Sequence, residues 1–68
     1  MNLKAAINQS IETESTVRLE VSGDLLDATM GVPGWAGEFY YVEESAGTLD
    51  VWGTDWDGND WRVKLVAA

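Results

Sequence analysis

The sequence predicts a single α+β domain, in which a small, mainly antiparallel four-stranded sheet is accompanied by one N-terminal helix and a short helical turn. Three observations predict it: apolar residues at helical spacing near the N-terminus, a strictly alternating run after them, and two turn signals between strand-like runs in the C-terminal half. The 68 residues make one domain, 1–68, and a domain of this size buries only about 60% of the surface that its unfolded chain exposes. The core must therefore be compact.

Residues 3–11 have the apolar spacing of an amphipathic helix. Their apolar side chains recur at i, i+3, i+4 and i+8 and are Leu3, Ala6, Ile7 and Ile11. The alternative is a strand with Leu3, Ala5 and Ile7 on one face, but that alternation ends at Gln9. The pattern favours the helix.

Residues Thr16 to Ser22 alternate between apolar and polar side chains, with Val17, Leu19 and Val21 on one face. This alternation is typical of a half-buried strand. Gly23 ends the strand.

The segment after the first strand is predicted to form a short piece of helix and then a reverse turn. Residues Asp24 to Met30 predict one or two helical turns, with Ser22 or Asp24 as the N-cap and Gly31 as the stop. The following Val32-Pro33-Gly34 has the composition of a turn.

The register of the last hairpin follows from the rule that residues directly opposite each other share a face of the sheet. The rule places Val51 opposite Val63 and leaves Trp56-Asp57-Gly58 as a three-residue loop. Gly58 then occupies the third loop position, where such loops prefer a left-handed residue.

The same register predicts three cross-strand contacts. They are an ion pair between Asp50 and Lys64, a cation–π contact between Trp52 and Arg62, and packing of the Trp61 ring over Gly53.

The preceding hairpin follows the same logic, with Ser45-Ala46-Gly47 as a three-residue loop and Tyr41 opposite Val51. The product is a meander of three strands, Glu38 to Glu44, Thr48 to Thr54 and Asp60 to Val66. We expect its core face to carry Phe39, Tyr41, Leu49, Val51, Trp61, Val63 and Leu65. The first strand joins this sheet in an order that the sequence leaves open, and the helix covers the apolar face.

The opposite face of the meander is predicted to carry two rows of side chains: Tyr40, Trp52 and Arg62 in one, and Val42, Asp50 and Lys64 in the next. Aromatic side chains on a solvent-exposed face indicate binding. The alternative is a second small core, in which Leu25, Leu26, Met30 and Trp35 pack over these aromatic residues.

Composition excludes most catalytic and metal chemistry. The chain has no cysteine and no histidine, so it has no disulfide, thiolate site or neutral-pH proton shuttle. Glu43 and Glu44 are sequence neighbours that point to opposite faces of a strand, which makes them a poor acid and base pair. We therefore expect no enzymatic activity, no catalytic residue and no cofactor.

The stretch from Asp55 to Asp60 resembles the start of a calcium-binding loop but departs from its pattern. Counted from Asp55, the glycine stands at position 4 instead of 6, and position 12 is Val66 instead of a bidentate glutamate. An acidic hairpin tip is the better interpretation, and we expect no metal site.

The formal net charge is −8 at pH 7, from 12 acidic and 4 basic residues. Such a balance argues against direct binding to nucleic acid or to an anionic membrane, and it favours a basic protein surface as the partner. No run approaches the ~20 apolar residues of a membrane span, and the N-terminus lacks the features of a secretory signal. We expect a complete, cytoplasmic protein. The alternative interpretation of the net charge is that it serves only to keep the protein soluble.

The acids without an evident basic neighbour mark the candidate binding site. Together with one tryptophan at the last hairpin tip, the predicted partner-binding residues are Asp24, Asp27, Glu38, Glu43, Glu44, Asp55, Trp56, Asp57 and Asp60. Carboxylates spread over such a surface can occupy the phosphate sites of a basic groove.

With the acidic clusters EFYYVEES and TDWDGNDW in view, the chain resembles the small acidic anti-CRISPR proteins of bacteriophages, several of which mimic DNA, and within that class the type I-C inhibitors. The resemblance implies a non-enzymatic inhibitor, in the cytoplasm of a bacterial host, that blocks target DNA at a basic surface of a CRISPR effector subunit.

Two alternatives stay open. One is a structural or assembly protein that binds a protein partner through exposed Tyr40, Trp52 and Trp56, and the other is a module that stacks sugars on Trp52 or Trp56. The oligomeric state is not predicted, although an open edge on the last strand would allow pairing with another copy.

Overall fold

A computed structural model describes residues 1–30 and 32–68 and, for Pro33, the backbone alone. The helices are α1 (Leu3–Thr13) and α2 (Pro33–Ala36), with a 3-10 turn at Asp27–Thr29. The strands are β1 (Val17–Val21), β2 (Glu38–Ser45), β3 (Thr48–Thr54) and β4 (Asp60–Ala67). The predicted α+β class is confirmed. In the part of the chain that the structure describes, no helix has the length and apolar content needed to cross a bilayer.

The four strands form one sheet in the order β1-β4-β3-β2, with β1 parallel to β4 and the other pairs antiparallel. The predicted open edge on the last strand is wrong, because β4 lies between β1 and β3. β4 carries three inward apolar side chains, Trp61, Val63 and Leu65, which are buried best at the centre of the sheet. The edges are β1 and β2.

Helix α1 packs on β4 and β1, as its apolar stripe predicts. Asn2 begins the helix as its N-cap, where the side-chain oxygen accepts a hydrogen bond of 2.9 Å from the Ala5 amide. Glu14 ends it in the left-handed conformation, at φ 53°. The helix is two residues longer than the predicted segment.

The core lies between α1 and the inner face of the sheet and extends beneath the chain between β1 and β2. Its buried apolar residues are Ala6, Ile7, Val17, Leu19, Val32, Ala36, Leu49, Val51, Trp61, Val63 and Leu65. Phe39 is partly buried against this core. Tyr41 lies on the predicted face, opposite Val51, but its predicted place in the core is wrong, since 61% of the residue is exposed. The reason is tertiary: α1 lies over the other half of the sheet, and β2 is an edge.

The connection from β1 to β2 departs from the prediction in one place. Asp24 is the cap of the helical turn, with its Oδ1 accepting from the amides of Leu26 (2.8 Å) and Asp27 (3.2 Å). The turn predicted at Val32-Pro33-Gly34 is wrong, because helix α2 begins at Pro33, whose fixed φ suits the first helical position. The predicted stop at Gly31 lies outside the described residues.

The last hairpin has the predicted register. Val51 lies opposite Val63, and Gly53 opposite Trp61. The Asp55 amide bonds the Asn59 carbonyl at 2.9 Å, which closes the loop on residues 56–58 with Gly58 at φ 86°.

The preceding hairpin has the predicted pairing of Tyr41 with Val51, but its three-residue loop is wrong. Ser45 pairs with Thr48, so the turn has two residues, and a bulge at Val42 absorbs the extra one. The bulge also places Glu43, instead of Val42, opposite Asp50.

Candidate functional site

The face of the sheet opposite α1, which we call the outer face, is exposed to solvent. Tyr40 and Trp52 on this face are 51% and 41% exposed. The alternative of a second small core over these rings is wrong, because Leu25 and Leu26 pack against the core on the inner side and Met30 is exposed. An uncovered sheet face with two large aromatic side chains is typical of a binding surface.

Tyr40, Trp52 and Arg62 stand side by side on three neighbouring strands, as predicted, and we call them the aromatic row. The rings of Tyr40 and Trp52 lie 5.4 Å apart between centroids, tilted by 42°. The Tyr40 hydroxyl donates to Glu38 Oε2 at 3.2 Å, and this carboxylate raises the pKa of Tyr40 above its ordinary value of 10.0.

The predicted cation–π contact between Arg62 and Trp52 is wrong. Among the described residues, the cation that lies over an aromatic ring is the Lys4 ammonium, 5.5 Å from the centroid of Trp35. Arg62 is therefore exposed beside Trp52 without a charged or aromatic contact of that kind.

A second row crosses the outer face and is made of charges. Arg18, Lys64, Asp50 and Glu43 follow one another on β1, β4, β3 and β2. The predicted ion pair between Asp50 and Lys64 does not form: within the described residues, the ion pair that forms is Arg18 Nη2 with Glu20 Oε1 at 3.9 Å, with both side chains about two-thirds exposed. Glu43 and Asp50 are like charges in directly opposing positions, which is unfavourable.

The loop of the last hairpin is held by Asp55. Its Oδ1 accepts from the amides of Asp57 (2.9 Å) and Asn59 (2.8 Å), and its Oδ2 accepts from the Asn59 side chain at 3.1 Å. These bonds, first of all those from Asn59, hold the pKa of Asp55 below its ordinary value of 3.8. The carboxylate is thus ionised, and its geometry is fixed by the backbone.

Glu38 joins the predicted tip residues on the outer face. It lies opposite Thr54, which lies opposite Asp60 and donates to that carboxylate at 3.0 Å. A shallow cleft contacts Trp56, which is 71% exposed, together with Glu38 and Asp55. We call this group the acidic tip: Glu38, Asp55, Trp56, Asp57 and Asp60.

The other predicted site residues lie elsewhere. Glu43 and Glu44 lie near the end of β2 that is farther from Glu38, and Glu44 pairs with Leu49 of β3. Asp24 and Asp27 belong to the connection between β1 and β2, where Asp24 serves as a cap. The structure therefore brings five of the nine predicted residues together in the acidic tip.

The charges are segregated along the chain and in the sheet. The sequence has no lysine or arginine between Arg18 and Arg62, and strands β2 and β3 with the loop before β4 form a half of the sheet without a basic residue. This acidic half ends at the first residue of β4 and carries seven carboxylates: Glu38, Glu43, Glu44, Asp50, Asp55, Asp57 and Asp60.

Sequence reasoning missed Ser10, a buried residue at the edge of the outer face. β1 begins opposite Val63, so the start of β4 has no strand on its β1 side, and the Arg62 amide donates to Ser10 Oγ instead, at 2.8 Å. Ser10 in turn donates to the Ser15 carbonyl at 2.7 Å. A polar residue on the apolar face of the predicted helix, near Ile11, was the signal.

An open groove lies where β1 is missing. It runs from the connection between α1 and β1 across the outer face, past Arg62 and Trp52, to Val42. We call it the β1 notch.

No cluster of three or more metal-ligating side chains occurs in residues 1–30 and 32–68. In the calcium-like loop, the Asp55 carboxylate is occupied by hydrogen bonds from its own loop.

Comparison with protein-family models found no match, and comparisons with curated proteins and with solved structures found none either.

Proposed function

We propose that this protein is a non-enzymatic inhibitor whose acidic half binds a basic, nucleic-acid-binding protein surface and keeps DNA from it. The observation that carries the proposal is the acidic half itself, with seven carboxylates and no lysine or arginine. A partner that binds phosphates through lysine and arginine presents the complementary charge. The resemblance to anti-CRISPR proteins supports a CRISPR effector subunit as that partner.

The form of the acidic half suits this role. β2 is an edge strand whose side chains are exposed except for the half-buried Phe39. Asp55 is held by its loop, so this part of the acidic tip needs little ordering on binding. Glu43 and Glu44 extend the negative surface along the same strand for roughly 20 Å, the length of six residues of strand.

Competition for DNA tests the proposal. Purified type I-C effector is incubated with labelled target duplex, and this protein is added in excess. We expect the duplex to be released and its cleavage to stop. Unchanged DNA binding at saturating protein would refute the proposal for this effector.

Charge reversal tests which surface binds. The substitutions Asp57→Lys and Glu44→Lys change exposed side chains, and Glu12→Lys on α1 makes the same change of charge outside the acidic half. We expect the first two to weaken inhibition about tenfold or more each and the control to leave it nearly unchanged. Equal effects of all three variants would indicate net charge instead of a defined surface.

A second candidate function is binding of a protein partner in an assembly through exposed aromatic residues. Tyr40, Trp52 and Trp56 are exposed by 51%, 41% and 71%, which supports it. Salt distinguishes the two candidates, because carboxylate binding weakens steeply as ionic strength rises, whereas an aromatic contact changes little.

A further inference from the structure

The second row of charges on the outer face is divided between the strands: its basic residues lie on β1 and β4, and its acidic residues lie on β3 and β2. The basic side chains of the outer face are Arg18 on β1 and Arg62 and Lys64 on β4, and the acidic side chains opposite them in the register are Asp50 on β3 and Glu43 on β2. Neither Lys64 nor Arg62 forms an ion pair in the described residues, and Asp50 faces Glu43. In the isolated chain Arg18 pairs with Glu20, whereas Lys64, Arg62, Asp50 and Glu43 form no ion pair among the described residues.

We propose that this face binds a second copy of the same chain, with the two sheets packed face to face about a two-fold axis parallel to the strands, between β3 and β4. That rotation reverses the strand order without moving residues along the strands. β4 of one copy then lies over β3 of the other, and β1 over β2. This inference stands on the sheet register and does not depend on the proposed function.

The charges match in this arrangement. Lys64 of one copy faces Asp50 of the other, and Arg18 faces Glu43, each pair occurring twice by symmetry. A two-fold axis across the strands would instead place each strand over itself and bring basic residues together. Charge complementarity therefore favours the axis parallel to the strands over the axis across them.

The aromatic row matches as well. Trp52 of each copy faces Arg62 of the other, which supplies the cation–π contact that the single chain does not make. Tyr40 on β2 of one copy faces the other copy beside Arg62, at the position where β1 has not yet begun. The Tyr40 ring therefore enters the β1 notch of the other copy.

The small size of the face indicates a weak association. Four strands about 4.8 Å apart and some seven residues long give roughly 450 Å² of flat area on each copy. This is below the ~800 Å² per partner of a standard interface, so we expect a weak, transient association. Because the axis is parallel to the strands, both acidic tips lie at the same end of the dimer.

Sedimentation equilibrium between about 1 μM and 1 mM protein tests the association. We expect a monomer at the low end, a dimer at the high end, and weaker association in 1 M salt, where the Debye length falls to about 3 Å. A chain that stays monomeric up to 1 mM overturns the proposal.

A charge exchange tests the orientation. The variants Lys64→Asp and Asp50→Lys should each be monomeric, because like charges meet across the axis. Mixed in equal amounts, they should form a heterodimer, since Asp at 64 then meets Lys at 50. Circular dichroism of each variant checks that it folds. Failure of the folded pair to associate contradicts the proposed geometry.

The aromatic contact has a matched control on the same strand. Tyr40→Ala should weaken dimerisation at least tenfold, whereas Tyr41→Ala, on the inner face of β2, should leave it unchanged. Equal effects of the two substitutions would also overturn the geometry. DNA competition by the monomeric Lys64→Asp variant, which keeps all seven carboxylates of the acidic half, separates this proposal from the proposed function, because inhibition by the acidic half does not require the dimer.

Discussion

Strands β2 and β4 have eight residues each in the same sheet, yet only one of them builds the core. β4 alternates between exposed and buried side chains along most of its length, whereas β2 is exposed at every position except Phe39. The difference comes from position: β4 is central and lies under α1, and β2 is an uncovered edge. β4 thus contributes mainly to stability and β2 mainly to the exposed surface, and substitutions can test this division.

The largest effect is expected from truncation in β4. Leu65 is fully buried, so Leu65→Ala should lower the free energy of unfolding by about 2 to 5 kcal/mol through lost burial and the cavity left behind. Tyr41→Ala in β2 is the control and should cost less than about 1 kcal/mol. Urea denaturation measures both, and equal losses would contradict the division.

Gly53 tests the contact between the two strands, because it lies between Phe39 and Trp61. A Cβ at this position meets the Glu38 carbonyl oxygen and lies 2.7 Å from Trp61 Cζ2. Gly53→Ala should therefore destabilise the fold by about 1 to 3 kcal/mol. Gly34→Ala is the control, since a Cβ there meets no atom within 4 Å. Thermal unfolding of the two variants compares them.

Ser10 tests how the uncovered start of β4 is stabilised. Ser10→Ala removes the acceptor of the Arg62 amide, a partly buried hydrogen bond, and should cost about 0.5 to 1.5 kcal/mol. Gln9→Ala on the exposed side of α1 should change the free energy of unfolding by less than about 0.5 kcal/mol. Hydrogen exchange of the Arg62 amide should accelerate only in the Ser10 variant; equal protection in both would show that the bond to Ser10 does not protect this amide.

The smallest effect concerns acid stability at the tip. The pKa of Asp55 is lowered in the folded state, so its contribution is complete above the ordinary value of 3.8 and is lost as the pH falls below it. Asp55→Asn should therefore reduce the dependence of the melting temperature on pH below about 4. Asp57→Asn is the exposed control and should leave it unchanged. Identical profiles would show that the loop bonds do not stabilise the charged form.

Much of the fold follows from local pattern. The helical spacing in α1 and the parity of the hairpins predict the sheet class and the registers of Val51 with Val63 and of Tyr40 with Trp52, because side chains two residues apart must share a face. The acidic tip could likewise be predicted from the sequence, because its turn residues and its charged residues are adjacent along the chain. Glu38 was predicted as a site residue, but its place in the tip depends on pairing across strands.

The sequence by itself determined the periodicities, the hairpin alternation and the separation of charge along the chain. Tertiary structure alone decided that β1 lies beside β4, that Tyr41 is exposed, and that Ser10 replaces a missing strand. The physical reason is that burial depends on which element covers a face, and local spacing does not encode that. The same reason gives the outer face its divided charge, because the strand order places residues 18 and 64 on the neighbouring strands β1 and β4, and residues 43 and 50 on β2 and β3.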